Sequence, residues 1–130
     1  MSDIITFADR GDFRKWLSDH CLSKDGVWLL FGKAGGPKTI KAQEALEEAL
    51  CFGWIDGQMK KIDDKTYKKY FSMRRVNSKW SEKNKALTVS LEERGLMTDF
   101  GRKQIEEAKK NGQWDAKDAV VITEEQIAQL

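Results

Sequence analysis

Two short stretches hold the side chains with the clearest chemical potential. In Trp54-Ile-Asp-Gly57 a carboxylate follows directly on a helix-stop signal at Gly53. Asp56 there could line a cleft as a general acid or base. It could equally accept backbone N–H groups, as aspartate before glycine commonly does in turns. The second stretch runs from Phe71 through Arg74, Arg75 and Ser78-Lys-Trp-Ser81 to Asn84. If a strand enters it, the two arginines point to opposite sides and at most one faces the core. An inward arginine needs a carboxylate, and Asp56 is the candidate. Trp80, Asn84, Leu87 and Leu91 recur at helical spacing, which sets Asn84 on an apolar face. A buried amide there must either brace a backbone group or point into a pocket. Together these residues form a candidate ligand site: Trp54 and Trp80 as apolar walls, Asp56 and Asn84 orienting, and Arg74 or Arg75 meeting a negative charge.

Between the two stretches lies a basic segment. From Gln58 to Arg75 seven basic residues face two aspartates, a local net charge of +5 in a chain of net charge +2, so the remainder carries −3. Lys60, Lys61, Lys68 and Lys69 beside Tyr67, Tyr70 and Phe71 suggest an alternative: single-stranded nucleic acid stacked on aromatics with cations along its phosphates. Lysine-rich hairpins also serve as solubilising edges, and the near-neutral whole favours the small-ligand or protein-partner reading.

Other chemistries find little support. Gly32-Lys-Ala-Gly-Gly-Pro-Lys-Thr39 approaches a phosphate-loop pattern, but Pro37 stands where the second glycine belongs and offers no N–H to a phosphate. Cys51 falls at the end of a predicted helix, where the dipole and the preceding Glu47 and Glu48 oppose a thiolate, so it reads as a small buried hydrophobe. The single histidine, His20, reads as structural or surface. No cluster has metal-ligand spacing, and no cofactor motif is present.

These residues must be positioned by a modest fold. The chain has 130 residues, 40% hydrophobic and 34% charged, with five tryptophans, which suits one domain with its own core. Met1 to Phe13 has no apolar run of signal-peptide length, and the run Val27 to Phe31 is far too short for a bilayer, so a cytoplasmic protein without membrane insertion is expected. Two unpaired cysteines, Cys21 and Cys51, agree with a reducing compartment. Helices are predicted from Asp12 to about Leu22–Asp25, from a Thr39 cap to about Phe52, from a Ser78 cap to Arg94, from Thr98 to near Gly112, and, on the capping box Thr123-Glu-Glu-Gln126, to Leu130. In the second, Ala42, Ala45, Leu46, Ala49 and Leu50 form the apolar stripe, with Glu44, Glu47 and Glu48 facing away. Strands are predicted at Val27–Phe31, about Gln58–Ile62 and Thr66–Ser72, the last two joined by a turn at Asp63–Lys65. The expected class is α+β: a small, mainly antiparallel three-stranded sheet packed with about five helices.

Several of these segments carry a resemblance. Gly26-Val-Trp-Leu-Leu-Phe-Gly-Lys33, Glu44-Ala-Leu-Glu-Glu-Ala-Leu-Cys-Phe-Gly-Trp-Ile-Asp-Gly57, Phe71-x-x-Arg-Arg75 and Ser78-x-Trp-Ser-x-x-Asn84 resemble the YdeI/OmpD-associated family, also called bacteriocin-protection proteins. The likeness continues through Gly95-Leu-Met97, Gly101, Ile105, Ala108 and Trp114. The family pattern has proline where this chain has Met73. The resemblance implies a setting in envelope stress and antimicrobial-peptide resistance, with association to an outer-membrane porin. It supplies no reaction and no catalytic residues. The resulting expectation is a cytoplasmic stress- or resistance-associated binding module for a small anion or a protein partner, with an enzyme using Asp56 as acid or base as a further alternative.

Overall fold

A computed structural model describes residues 4–75 and 78–115. In chain order the elements are β1 (Ile4–Ile5), α1 (Arg10–His20), β2 (Val27–Gly32), α2 (Ala42–Cys51), β3 (Trp54–Lys61), β4 (Thr66–Met73), α3 (Glu82–Glu93) and α4 (Asp99–Lys110). The class is α+β, as the sequence predicts. The sheet has four strands rather than three, in the order β1-β2-β4-β3. The additional strand, β1, pairs parallel with β2, and its two residues are too few to show an alternation in sequence. The other pairings are antiparallel. Four helices lie among the described residues, and the fifth predicted one, from Thr123 to Leu130, falls outside them.

Strand alternation divides the sheet into two unlike faces. Val27, Leu29 and Phe31 of β2 are buried, with Phe71 and Trp54 on the same side. The helices pack there: Phe13 and Leu17 of α1 are fully buried, and the Phe13 ring meets Phe71 edge-on at 5.6 Å. Val27–Phe31 is thus an alternating strand, not a uniformly buried one. Trp28 and Leu30 fall on the other face and are only half-buried.

Three local expectations are corrected. Thr39 does not cap α2. Lys41 is the N-cap residue, with the Glu44 carboxylate accepting from its backbone N–H, while Thr39 Oγ1 accepts from Gly32 N at 2.9 Å and ties the loop to the end of β2. Ser78 does not cap α3. Ser81 does, its Oγ accepting from Asn84 N at 3.1 Å, so Trp80 precedes the helix. Trp54–Gly57 is no turn but the start of β3, with Trp54, Ile55 and Asp56 paired to Met73, Ser72 and Phe71. The register shift that follows, between Asp56 and Met59, accommodates the glycine that had suggested a turn.

A fourth correction concerns the acidic side of α2. Glu48 does not face away: it is buried, 2% exposed, and binds Arg10 at 2.7 Å and Arg14 at 2.8 Å from α1. Arg14 also donates to the Leu96 carbonyl at 2.7 Å, and Glu47 pairs with Arg10 and Arg94. Carboxylates at successive positions thus clamp α1 to α2 and to the turn after α3. Removing Glu48 strands two arginines whose side chains are about one-third exposed. Glu48→Ala should therefore cost about 3 kcal/mol in urea unfolding, the low end for breaking a buried pair. Burial alone would raise the Glu47 carboxyl, but hydrogen bonds from Arg10, Gln43 and Arg94 outweigh it and hold the group below the usual range. A depressed carboxyl contributes stability above its unfolded pKa and loses it as pH falls through the folded one. Glu47→Gln should flatten the acid limb of the stability curve below about pH 4, where the unfolded glutamate titrates. Unchanged steepness in acid-unfolding titrations would refute this.

Candidate functional site

The site is set up by the turn between α2 and β3. Gly53 adopts φ +80°, the left-handed conformation that ends the helix and redirects the chain into β3. Its carbonyl accepts from Arg74 N at 3.0 Å, so the start of β3 and the end of β4 lie side by side. Trp54, next in the chain, is fully buried, with Nε1 donating to the Cys21 carbonyl at 2.8 Å and its ring edge-on to Trp16. It is a core residue and forms no wall of a ligand site.

Beside this junction lies a cleft of about 410 Å³ lined by Ile55, Asp56, Gly57, Ser72, Met73, Arg75 and Ser78. Asp56 pairs with Lys69 Nζ at 3.3 Å, both side chains half-buried. The carboxylate partner expected for an inward arginine is thus given to a lysine. The arginines do divide between inside and outside. Arg75 is exposed on the cleft, while Arg74 is buried, 5% exposed. The Arg74 guanidinium stacks on Trp80 with Cζ 3.8 Å from the ring centre, and Nη2 donates to the Lys79 carbonyl at 2.7 Å. Its Nε and Nη1 are buried without a hydrogen-bond partner. Burial pushes this guanidinium down to about 10, opposed by the charge of Asp56, so it remains a cation at neutral pH. Trp80 is itself buried and packs on Trp114 at 5.0 Å, and Asn84 is half-buried in the first turn of α3. Neither lines the cleft.

The arginines elsewhere give this arrangement its meaning. Of six in the chain, Arg10 and Arg14 bind Glu48, Arg94 binds Glu47, and Arg102 binds Glu92 and Asp99. Only the consecutive pair Arg74 and Arg75 has no carboxylate among the described residues. The arginines unmatched by a carboxylate are therefore found at one place in the fold.

The structure splits the residues of the nucleic-acid alternative. Lys60 and Lys68 sit opposite one another on the sheet face away from the helices, with their ammonium groups 5.6 and 4.4 Å from the Trp28 ring centre. Tyr67 and Lys69 are on the core-facing side, Tyr67 stacked on Phe31 and Lys69 ion-paired with Asp56. Lys61 pairs with Asp64 at 3.6 Å. Sequence reasoning missed Trp28, whose ring meets that of Tyr70 at 5.2 Å on the open face. A period-two reading of Val27–Phe31 would have found Trp28, but the run is apolar at every position and hides its alternation.

A larger cleft of about 660 Å³ lies where the imperfect phosphate loop predicts, lined by Gly32, Pro37, Lys38, Thr39, Lys41, Glu44 and others. Three of its polar side chains serve the fold: Asp9 caps α1, Thr39 binds Gly32 N and Glu44 binds Lys41 N. Neither cysteine is poised for chemistry. Both are buried, and burial pushes the Cys51 thiol up to about 11. His20 stacks on Trp16 at 4.4 Å. Among the described residues no group of three or more His, Cys, Asp or Glu side chains gathers to hold a metal ion, and no helix is long and apolar enough to cross a membrane.

Fold and site define a small α+β protein with a cleft at one end of its sheet that holds Arg75 and Asp56. A family model described as a domain of unknown function (DUF8412) matches residues 5–104, well over half of the chain, and the chain belongs to that family. The match takes in every residue lining the cleft. No curated protein and no solved structure matches the chain.

Replacing a buried ion by an apolar residue of similar volume is commonly neutral or stabilising. Arg74→Met should therefore leave the urea midpoint unchanged or raise it. A loss of more than about 2 kcal/mol would show instead that the guanidinium braces the fold.

Proposed function

We propose that the protein is a non-catalytic binding module whose ligand presents a small anionic group, phosphate or carboxylate, to the cleft at the ends of β3 and β4. The observation that carries this reading is the pair Arg74 and Arg75, the only arginines without a carboxylate among the described residues. Arg75 supplies the forked donor that oxyanions favour. Arg74 lies behind it, desolvated, and adds a positive field that water does not screen. Asp56, neutralised by Lys69, and the hydroxyls of Ser72 and Ser78 give the cleft further hydrogen-bonding groups for the rest of the ligand. A role in stress or resistance, which the resemblance to the YdeI/OmpD-associated family implies, is compatible with a module that senses or sequesters such an anion.

Binding to the folded state alone raises stability by mass action. Inorganic phosphate or citrate should raise Tm above that in chloride at matched ionic strength. Arg75→Ala should abolish the increment while leaving Tm in chloride unchanged, and Arg75→Lys should keep part of it. If no anion of a phosphate, sulfate and carboxylate panel shifts Tm of the unmodified protein, or if Arg75→Ala responds as before, the reading is wrong.

A further inference from the structure

The cleft opens onto a sheet face with its own character. Strand register places Trp28 and Leu30 of β2, Thr66, Lys68, Tyr70 and Ser72 of β4, and Ile55 and Lys60 of β3 on that side. None of these residues is buried. No carboxylate stands among these face positions: Asp56, the one acidic residue of the paired strands, is in register with Phe71 on the opposite side. Two cations and two aromatic rings occupy its centre. The rings are fixed, because the Tyr70 hydroxyl accepts from Gly26 N at 3.0 Å and Trp28 packs against Tyr70.

Ile55 and Ser72 belong both to this face and to the lining of the arginine cleft. Along β4 the residues Lys68, Tyr70 and Ser72 succeed one another on one side, at about 7 Å per pair of residues, and lead towards Arg75. A continuous track results: an ammonium pair, an aromatic platform, a hydroxyl and an arginine.

We infer that this track binds single-stranded nucleic acid, with a base stacked on Trp28 and Tyr70, phosphates met by Lys60 and Lys68, and a further phosphate in the Arg75 cleft. The inference rests on the anion-binding reading of that cleft and names its ligand class. Charge complementarity favours a polyanion, since the sheet face offers cations and no acid, and Asp56, the one carboxylate lining the cleft, is paired with Lys69. The flat rings favour one with exposed bases, because every base has a face to stack and duplex DNA hides it. In the free protein the lysine ammonium groups cover Trp28. A contact between an exposed lysine and an indole is weaker than a base stacked on the same ring, so an arriving base displaces the lysines towards its own phosphates.

The test is fluorescence anisotropy of a labelled oligothymidylate of about a dozen nucleotides, long enough for one such site. Binding is expected at low salt, with affinity falling as salt rises at a log–log slope of about −2, the value for three cations on a single strand. Trp28→Ala should weaken binding about tenfold, Trp28→Phe should retain most of it, and Lys68→Ala should reduce the slope by about 0.7. Lys61→Ala, on the opposite side of β3, should change neither. Circular dichroism of Trp28→Ala establishes that the variant is folded, and Trp28→Phe provides a milder change should it not be. No binding at low salt overturns the inference, as does binding indifferent to Trp28 or equally strong to duplex or heparin. If inorganic phosphate still shifts Tm through Arg75 while the oligonucleotide fails to bind, this inference falls and the anion site stands. If phosphate also fails, both fall.

Discussion

The architecture depends on how the C-terminal end of α2 is satisfied. The last carbonyls of any helix lack intrahelical donors and carry the negative end of its dipole. Here the Cys51 carbonyl accepts from both the backbone N–H and the hydroxyl of Thr98, the residue that begins α4. The start of one helix thus meets the end of another, an arrangement the dipoles favour. Two glycines permit the approach. A Cβ at Gly101 would stand 2.6 Å from the Cys51 carbonyl oxygen, and one at Gly53 would stand 3.0 Å from that of Phe100. Because Gly53 also accepts from Arg74 N, one turn registers α2, α4, β3 and the end of β4 together. The cleft inherits its geometry from that joint and not from a loop of its own.

The charge distribution follows from the same framework. Helix contacts around α2 bring every arginine of α1, and the one following α3, to Glu47 or Glu48, and Arg102 of α4 to Glu92 and Asp99. The end of β4 lies beyond their reach, and the nearest acid in the ladder, Asp56, is held by Lys69. Arginine charge is thus neutralised among the helices, and the unmatched arginines are left at one end of the sheet. The opposite sheet face, without helices to supply glutamates, keeps its lysines over an indole instead.

Much of this is legible in sequence, and the failures have physical causes. Elements with long periodic stripes or clear stops were found: α1, α2, α3, α4 and both strands of the hairpin, with Gly53, Gly95 and Gly112 at positive φ after helices. The misplacements come from tertiary contacts overriding local preference. Asp-Gly at 56–57 reads as a turn, yet pairing with Phe71–Met73 draws it into a strand. Thr39 reads as a cap, yet its hydroxyl goes to Gly32. Glu48 reads as solvated, yet two arginines from α1 make its burial tolerable. At the site, one arginine of the pair is inside and one outside as the sequence suggests, but β4 ends at Met73 and the chain beyond it departs from the strand's alternation, which would have turned Arg75 and not Arg74 towards the core. The burial of Trp54 away from the cleft and the pairing of Asp56 with Lys69 were not foreseeable, because both depend on elements distant in sequence.

Arg14 and Arg74 make an instructive comparison, because one shows what the other lacks. Each guanidinium lies over an aromatic ring, Arg14 over Phe52 at 5.1 Å and Arg74 over Trp80 at 3.8 Å. Each donates through Nη2 to a backbone carbonyl at 2.7 Å, that of Leu96 or Lys79. Arg14, about one-third exposed, also has Glu48 at 2.8 Å. Arg74, the more deeply buried, has nothing in that role, and two of its nitrogens are without partners. A cation taken from water without a counter-charge is costly, and a brace would be better made by an apolar side chain. Arg14 is a completed structural ion pair, whereas Arg74 has the ring and the carbonyl but no carboxylate within 4 Å among the described residues.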